Sequence, residues 1–169
     1  SQGPFFWDTE KKEDTWRYFN GLMMDAFLMT GDETSRKFVE QFYEDNIEES
    51  GSIPDYAKGE LDSVEAARGL FDLLDDEVNS DKYEQAIQFV YSKLKEQRAY
   101  DDCGGNYLHK QQENGTPTES WSTWNIGLDG LYMAQPFLME CANAIGEDKL
   151  SLKDAKGQEV SPTSIYEAV

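Results

Sequence analysis

The fold is decided by residues 15–47, which read TWRYFNGLMMDAFLMTGDETSRKFVEQFYEDNI. Apolar residues recur there at spacings of three and four on both sides of a Thr-Gly-Asp break at residues 30–32. This pattern is typical of two amphipathic helices joined by a tight turn, and Gly31 suits the left-handed position that ends a helix. We therefore expect an αα-hairpin with helices over residues 15–29 and 34–47.

The helical pattern continues through the rest of the chain. Further helices are predicted over residues 63–74, 82–95, 128–145 and 164–169. Ser80 and Asp81 are N-cap candidates for one of these helices, because both side chains accept hydrogen bonds from exposed helix amides. Pro136 either kinks the 128–145 helix or marks its first turn. No segment alternates apolar and polar residues as a strand does, so we predict an all-α chain of αα-hairpin repeats.

The charge and the cysteine content exclude several classes of protein. The chain has 34 acidic and 15 basic residues, and its net charge of −19 repels phosphate, so no nucleic acid partner is expected. No apolar run reaches the roughly 18 residues of a membrane span, so no membrane partner is expected. Cys103 and Cys141 are interpreted as free thiols, and with the single His109 they lack metal-site spacing, so no metal is expected. The sequence leaves the location open between the cytoplasm and, after removal of a signal peptide, the periplasm or the exterior of the cell.

Two aspartates stand where loops enter predicted helices. Asp62 immediately precedes the helix over residues 63–74. Asp129 opens the helix over residues 128–145. Each has a structural interpretation, because Asp62 with Glu65 forms a capping box and Asp129 suits the helix dipole. If equivalent helices of successive hairpins line one cleft, both carboxylates lie at the same end of it. A carboxyl pair beside aromatic side chains is suited to glycosidic-bond chemistry, so both interpretations stay open.

The polar loop between these aspartates carries further candidates. Trp121 and Trp124 lie in a stretch rich in Gly, Ser and Thr. Two tryptophans in such a loop suit a sugar-stacking surface better than a core, although core packing stays open. The structural interpretation of His109 is a loop residue that is hydrogen-bonded to backbone groups.

Residues 128–137, which read LDGLYMAQPF, resemble the aspartate-bearing signature of glycoside hydrolase family 105, the unsaturated rhamnogalacturonyl hydrolases. The family 88 unsaturated glucuronyl hydrolases are its relatives. Further stretches similar to the family pattern are Gly104-Gly105 with His109-Lys110, Leu61-Asp62-Ser63, and Tyr18-Phe19-Asn20-Gly21. The likeness runs from about Trp16 to Ile145. The family usually has tryptophan where this chain has Gly127, with Trp121 and Trp124 as alternative replacements, and residues 113–118 look like an insertion. The family pattern therefore does not fix the shape of the sugar pocket or the exact substrate.

The resemblance implies a fold and a domain organisation. The family fold is an (α/α)6 barrel of six helical hairpins, and about three hairpins are visible in this chain. We therefore expect residues 1–169 to be one partial toroid domain, the N-terminal half of the barrel, truncated at its C-terminal end. Half a toroid exposes apolar faces, so we expect it to pair with the missing C-terminal half or with a second copy.

The resemblance also implies an activity, the removal of a terminal 4,5-unsaturated uronic acid from rhamnogalacturonan-derived oligosaccharides by hydration of the C4=C5 double bond. Asp129 would protonate C4 and activate the water that adds at C5, and Asp62 would assist. The implied reaction needs no metal or organic cofactor. The candidates for binding the sugar are His109, Trp121, Trp124 and Tyr132. This stretch alone is expected to be inactive. The alternatives are a family 88 activity on unsaturated glucuronyl sugars, or a non-catalytic helical-repeat module that binds carbohydrate or protein.

Overall fold

In a computed structural model of the chain, the described residues are 15–97, 99–100, 106–107, 128–146, 152–153 and 159–160. The helices are α1 (Tyr18–Thr30), α2 (Glu33–Asn46), α3 (Asp62–Glu65), a 3-10 helix (Arg68–Leu73), α4 (Ser80–Glu96) and α5 (Leu128–Ile145). The strands are β1 (Ala99–Tyr100), β2 (Asn106–Tyr107), β3 (Leu152–Lys153) and β4 (Glu159–Val160). None of the helices in these ranges is long and apolar enough to cross a membrane.

The chain divides into two compact units. The first unit comprises Ser1–Tyr56 and Glu65–Phe89, and the second comprises Ala57–Val64 and Val90–Val169. Each unit joins segments that are separated in the sequence, so its packing depends on tertiary contacts rather than on one hairpin alone. The single partial toroid domain over residues 1–169 stays a prediction.

The first unit contains the predicted αα-hairpin, α1 and α2. Gly31 follows α1 in the left-handed conformation, at a φ of 70°, and its amide donates to the carbonyl of Leu28. Asp32 caps α2, because its Oδ1 accepts a hydrogen bond of 2.9 Å from the amide of Ser35. Hydrogen bonds from the side chains of Ser35 and Thr30 hold the pKa of Asp32 down at about 2. The predicted turn is confirmed.

Helix α1 packs tightly inside the first unit. A Cβ on Gly21 would stand 2.6 Å from the Cα of Ala66, so only glycine allows this approach of two backbones. α1 meets α2 through an edge-on contact of Phe27 and Phe38, whose ring centroids are 5.2 Å apart. The larger buried apolar side chains of this unit are Trp16, Met24, Val39, Phe42, Tyr43, Ile47, Ile53, Leu70, Leu73, Tyr83 and Ile87.

The prediction of one continuous helix over residues 63–74 is wrong. The chain instead forms the single turn of α3 and then the 3-10 helix. The hydroxyl of Tyr43 donates a hydrogen bond of 3.1 Å to the carbonyl of Ala66. In a continuous α-helix that carbonyl would accept from the amide of Leu70, which donates instead to Ala67. A tertiary hydrogen bond has therefore replaced a helical one, and the tighter 3-10 geometry follows.

Helix α4 begins earlier than predicted. Ser80 and Asp81 both lie within it, so neither precedes the first helical residue and the prediction of an N-cap there is wrong. The turn before the helix is organised by Asp76, whose Oδ1 accepts hydrogen bonds of 2.8 and 2.7 Å from the amides of Val78 and Asn79. An aspartate that binds amides two and three residues ahead is a common turn former.

Helix α5 has the predicted bounds, Leu128–Ile145. Pro136 lies inside it, which excludes the alternative in which the proline marks the first turn. The side chains of Met133, Ala134, Phe137, Leu138 and Cys141 are buried along one side of the helix. α5 therefore supplies much of the described core of the second unit, as its 3.6-residue periodicity predicts.

The structure also contains two antiparallel pairs of two-residue strands, which the sequence did not predict. β1 pairs with β2, with Ala99 opposite Tyr107, and β3 pairs with β4, with Leu152 opposite Val160. Strands of two residues are too short to show alternation, so no pattern could reveal them. The predicted helix over residues 164–169 lies outside the described residues. Helices supply every longer element of the described part, in agreement with the all-α prediction.

Candidate active site

The two candidate catalytic aspartates stand at the starts of helices, as the sequence predicts. Asp62 is the first residue of α3 and is half-buried. Asp129 is the second residue of α5, and its backbone is helical. Both positions belong to the second unit. The fold thus brings into one unit two residues that are far apart in the sequence.

The segments that carry these aspartates touch each other. Leu61, which immediately precedes Asp62, is only 1% exposed. Its Cδ1 lies 3.3 Å from the position that a Cβ on Gly130 would take, and Gly130 immediately follows Asp129. The glycine therefore allows the start of α5 to pack against the residue before α3. The approach of these two segments is the structural basis for considering the two carboxylates together.

The loop that leads into Asp62 is anchored inside the second unit. The Nε2 of Gln97 donates a buried hydrogen bond of 3.1 Å to the carbonyl of Gly59. The Oγ of Ser63 accepts a hydrogen bond of 3.0 Å from the amide of Ala57, which closes the loop on itself. Buried hydrogen bonds of this kind fix the backbone of a site, so the start of α3 is held in place before any substrate binds.

A surface ion pair adds to this anchor. The Nζ of Lys58 lies 2.8 Å from the Oε2 of Glu96, and both side chains are about half exposed, at 49% and 51%. The hydrogen bond from Lys58 lowers the pKa of Glu96. Because exposed pairs of this kind contribute at most about 1 kcal/mol, the buried Gln97 bond is the stronger constraint on the loop.

Aromatic side chains of α5 have different surroundings. Tyr132 lies three residues after Asp129, and residues at that spacing share a helix face. Its side chain is 41% exposed, whereas Phe137 is fully buried. Tyr132 is therefore the described aromatic residue that is able to contact a ligand near the start of α5, while Phe137 belongs to the core.

Cys141 is a buried residue of the same helix. Burial raises the pKa of its thiol well above its usual range, which fits a neutral free cysteine in the core.

The remaining sequence candidates are outside the described part of the chain. His109, Trp121 and Trp124 all lie there, and so does Cys103. Their predicted contacts with the sugar stay predictions. Within the described ranges, no group of three or more His, Cys, Asp or Glu side chains is arranged to hold a metal ion.

The sequence missed a charged cluster in the interior of the first unit, formed by Asp25, Glu65 and Arg68. The Nη1 of Arg68 lies 3.3 and 3.4 Å from the two carboxylate oxygens of Glu65, whose side chain is fully buried. The same Nη1 lies 3.6 Å from the Oδ2 of Asp25. Burial raises the pKa of Asp25 to about 6, Arg68 opposes this rise, and Asp72 adds to it. One guanidinium therefore contacts two carboxyl groups, the buried one of Glu65 and the partly buried one of Asp25.

One signal could have revealed this cluster. Asp25 is the only charged residue of α1, and a lone charge in an apolar helix is expected to have a partner. Arg68 offered no local indication of its contact with Asp25, because that partner on α1 is distant in the sequence. Glu65 was assigned to a capping box by its spacing from Asp62, and in the structure its carboxylate lies beside Arg68, three residues further along the chain.

The first unit also has a surface cleft of about 560 Å³ at the turn between α1 and α2. It is lined by Leu28, Met29, Gly31, Asp32, Glu33, Arg36 and Asp72. Arg36 is bound by Glu40 at 2.9 Å and by Asp75 at 2.6 Å, so its charge is already compensated. A cleft lined by compensated and acidic groups is poorly suited to an anionic sugar, and it is not a candidate active site.

Comparison with known proteins agrees with the resemblance of the sequence motifs. The chain matches the family model of Glycosyl Hydrolase Family 88 over residues 6–160. Its structure is similar to that of a glycoside hydrolase of family 105 from C. acetobutylicum ATCC 824, with a TM-score of 0.63 and 25% sequence identity. That match covers 80% of this chain and 36% of the other, so the chain spans about a third of the length of that relative. The fold is part of the (α/α)6 six-hairpin barrel, and the chain belongs to glycosyl hydrolase family 88.

Proposed function

We propose that this chain supplies part of an enzyme that removes a terminal 4,5-unsaturated uronic acid from rhamnogalacturonan-derived oligosaccharides by hydrating the C4=C5 double bond. Membership of the family supports a glycoside hydrolase. The single observation that carries the proposal is the contact between Leu61 and Gly130, because it brings the starts of α3 and α5 together in one unit. Two carboxyl groups on adjacent segments are what acid–base chemistry on a sugar requires.

In the proposed reaction, the Asp129 carboxyl group gives its proton to C4 of the unsaturated sugar. The positive charge that develops at C5 is shared with the ring oxygen. Water then adds to C5 and gives its proton to the Asp129 carboxylate, which restores the acid. The product is a hemiketal at C5, which opens to a ketone at C5 and a hemiacetal at C1. The hemiacetal collapses to an aldehyde, and the neighbouring sugar leaves with the proton of the C1 hydroxyl group. No bond to the protein forms, and no redox step is involved.

The proposed role of Asp62 is to orient the water or the sugar hydroxyls. Its place at the start of α3, after a loop fixed by the buried bond from Gln97 to Gly59, supports a positioning role. Tyr132 is proposed to line the sugar site, because it lies one turn after Asp129 and is 41% exposed. His109, Trp121 and Trp124 are proposed as further sugar contacts, on the resemblance of the loop that carries them.

A second candidate function is the hydrolysis of unsaturated glucuronyl sugars. The family model that matches residues 6–160 is that of family 88, which favours this alternative. Both activities use the same hydration chemistry and differ in the sugar that follows the unsaturated uronate. Turnover of unsaturated rhamnogalacturonyl and glucuronyl disaccharides, followed by the loss of absorbance of the conjugated double bond, separates the two.

The experiment that tests the mechanism compares two aspartates at helix starts. Asp129→Asn and Asp81→Asn are made in the full-length product of the gene, because this stretch alone is expected to be inactive. Asp81 is a matched control, since it is exposed and lies in the first turn of α4. Asp129→Asn is expected to lower kcat by about 10³-fold, with Asp81→Asn unchanged. Wild-type turnover by Asp129→Asn contradicts the mechanism, and no turnover of any unsaturated sugar by the wild type favours the non-catalytic binding module.

A further inference from the structure

Gly130 lies inside a helix, where glycine is normally unfavourable. It is the third residue of α5, it is buried, and its φ lies outside the left-handed region. The backbone at this position is therefore open to any residue that forms helices. Glycine destabilises a helix relative to alanine, because it loses more conformational freedom on folding. The stability of α5 alone does not explain a glycine at position 130.

The packing of Leu61 explains this glycine. A Cβ at position 130 would lie 3.3 Å from the Cδ1 of Leu61. Because two carbon atoms pack best at about 3.5–4.0 Å, a methyl group there would move the start of α5 and Leu61 apart by about 0.5 Å. Within the described part of the chain, Leu61 supplies the one side chain that such a methyl group would meet.

Leu61 has little freedom to move away from α5. Its side chain is 1% exposed, and so is that of Val64, so both are packed in the interior of the second unit. The carbonyl of Leu61 accepts a hydrogen bond of 2.8 Å from the amide of Val64. Asp62 lies in the turn that this bond closes. Because packed interiors transmit strain, a displacement of Leu61 also moves the backbone of Asp62.

The start of α5 is constrained in the same way. Met133, Ala134 and Phe137 have no exposed surface, so the helix is fixed in the core from one turn after Gly130 onward. Asp129 precedes Gly130 in the same helix, so their backbones move together. The contact between Leu61 and Gly130 therefore lies one residue from each of the two candidate catalytic aspartates.

We propose that Gly130 and Leu61 are positioning residues, which together set the separation between the backbones of Asp62 and Asp129. The inference rests on the proposed function, in which Asp129 protonates C4 and Asp62 orients the water or the sugar hydroxyls. Both carboxyl groups must then reach one sugar at the same time, so the separation of their backbones affects the rate. Gly130 and Leu61 act through these aspartates and not on the substrate.

The size of the effect follows from the size of the displacement. A misplacement of about 1 Å at a reacting group costs about 10²-fold in rate, so half that displacement is expected to cost about tenfold. The loss falls on kcat with KM unchanged, because the placement of the acid matters in the transition state rather than in the binding of the sugar. A glycine needed only for packing would show the reverse, a lower Tm with an unchanged kcat.

The test is a double-mutant cycle in the full-length product of the gene, with whichever unsaturated disaccharide the wild type turns over. Gly130→Ala is expected to lower kcat about tenfold. Leu61→Val removes the atom that the new methyl group would meet, and by itself it lowers kcat because the two segments lose their spacer. The double variant is expected to turn over faster than either single variant, since the shorter side chain makes room for the methyl group.

Leu94→Val is the matched control. Leu94 is 1% exposed and belongs to the same unit, but it does not lie within 4 Å of the Cβ position at Gly130. The same truncation there is expected to leave the kcat of Gly130→Ala low. Thermal unfolding shows whether each variant is folded at the assay temperature. If Gly130→Ala is unfolded, adding it to Leu61→Val is still expected to raise kcat, and that comparison decides.

The inference is overturned if Gly130→Ala keeps the wild-type kcat, if the double variant is slower than Leu61→Val, or if Leu94→Val restores kcat as well as Leu61→Val does. The proposed function fails by different results. Wild-type turnover by Asp129→Asn, or no turnover by the wild type, contradicts that function and the positioning role with it. Turnover that depends on Asp129 but not on the methyl group at position 130 rejects the positioning role alone.

Discussion

Two sets of carboxyl groups in this protein differ in what surrounds them. Asp25 and Glu65, in the first unit, share the guanidinium of Arg68 in the interior. Asp62 and Asp129, in the second unit, begin helices and belong to segments that touch each other. Asp25 in the first set has the raised pKa that is often associated with catalysis, yet its carboxyl group already has a partner from the protein itself, Arg68. A raised pKa therefore does not identify a catalytic acid without a place for substrate.

The largest expected effect on stability comes from removing the shared cation. Arg68→Met leaves the carboxyl groups of Glu65 and Asp25 without their common partner, so we expect a loss of about 3–5 kcal/mol in the free energy of unfolding. Urea denaturation followed by circular dichroism measures the loss. A loss of this size would show that the main role of the cluster in the first unit is to stabilise the fold.

Arg36→Met is the matched control for this experiment. Arg36 also joins two carboxylates, Glu40 and Asp75, but the Asp75 side chain is 75% exposed. Its loss is expected to cost less than about 1 kcal/mol, because water solvates the carboxylates that remain. Equal losses in the free energy of unfolding for the two substitutions would mean that the burial of the cluster around Arg68 does not add to its effect on stability.

The second prediction concerns pH. The pKa of Asp25 in the folded state, about 6, lies above its usual value of 3.8, so between these values the folded state holds a proton that the unfolded chain has lost. The stability that Asp25 contributes is therefore full below about pH 3.8 and is lost as the pH rises through about 6. The loss amounts to about 3 kcal/mol.

Comparison with Asp25→Asn isolates this contribution. The variant is expected to lack the decline between pH 4 and 7, measured as the difference in the free energy of unfolding at each pH. Asp32 changes stability in the opposite direction, because its pKa is lowered to about 2 and its contribution is lost only as the pH falls. Parallel pH profiles of wild type and variant would show that Asp25 is not perturbed in this way.

A contrast between local and tertiary interactions explains which parts of the fold the sequence could predict. The Gly31 turn depends on one left-handed residue and the next cap, and α5 on the periodicity of its own residues, so both were predictable. The structure of residues 63–74 was not predictable, because the hydroxyl of Tyr43 on α2 donates a hydrogen bond to the carbonyl of Ala66. Local patterns describe a helix well until a distant residue competes for its hydrogen bonds.

The candidate site shows a similar division. Asp62 and Asp129 could be selected from motif and position, and their neighbours do come together. The anchoring of the loop before α3 could not be foreseen, since the side chain of Gln97 binds a carbonyl far away in the sequence. In the sequence, a glutamine just after a helix looks the same whether its side chain makes a buried hydrogen bond or is exposed to solvent.

The last prediction compares the two anchors of that loop. Gln97→Leu leaves the buried carbonyl of Gly59 without this donor and is expected to cost about 1–2 kcal/mol in the free energy of unfolding. Lys58→Met removes only the half-exposed pair with Glu96 and is expected to cost less than about 0.5 kcal/mol. If the loop positions Asp62 for the proposed reaction, Gln97→Leu also lowers kcat in the full-length protein while Lys58→Met does not. Equal losses of kcat would mean that the loop is not a positioning element, whereas a stability difference without any change in kcat would confine its role to the fold.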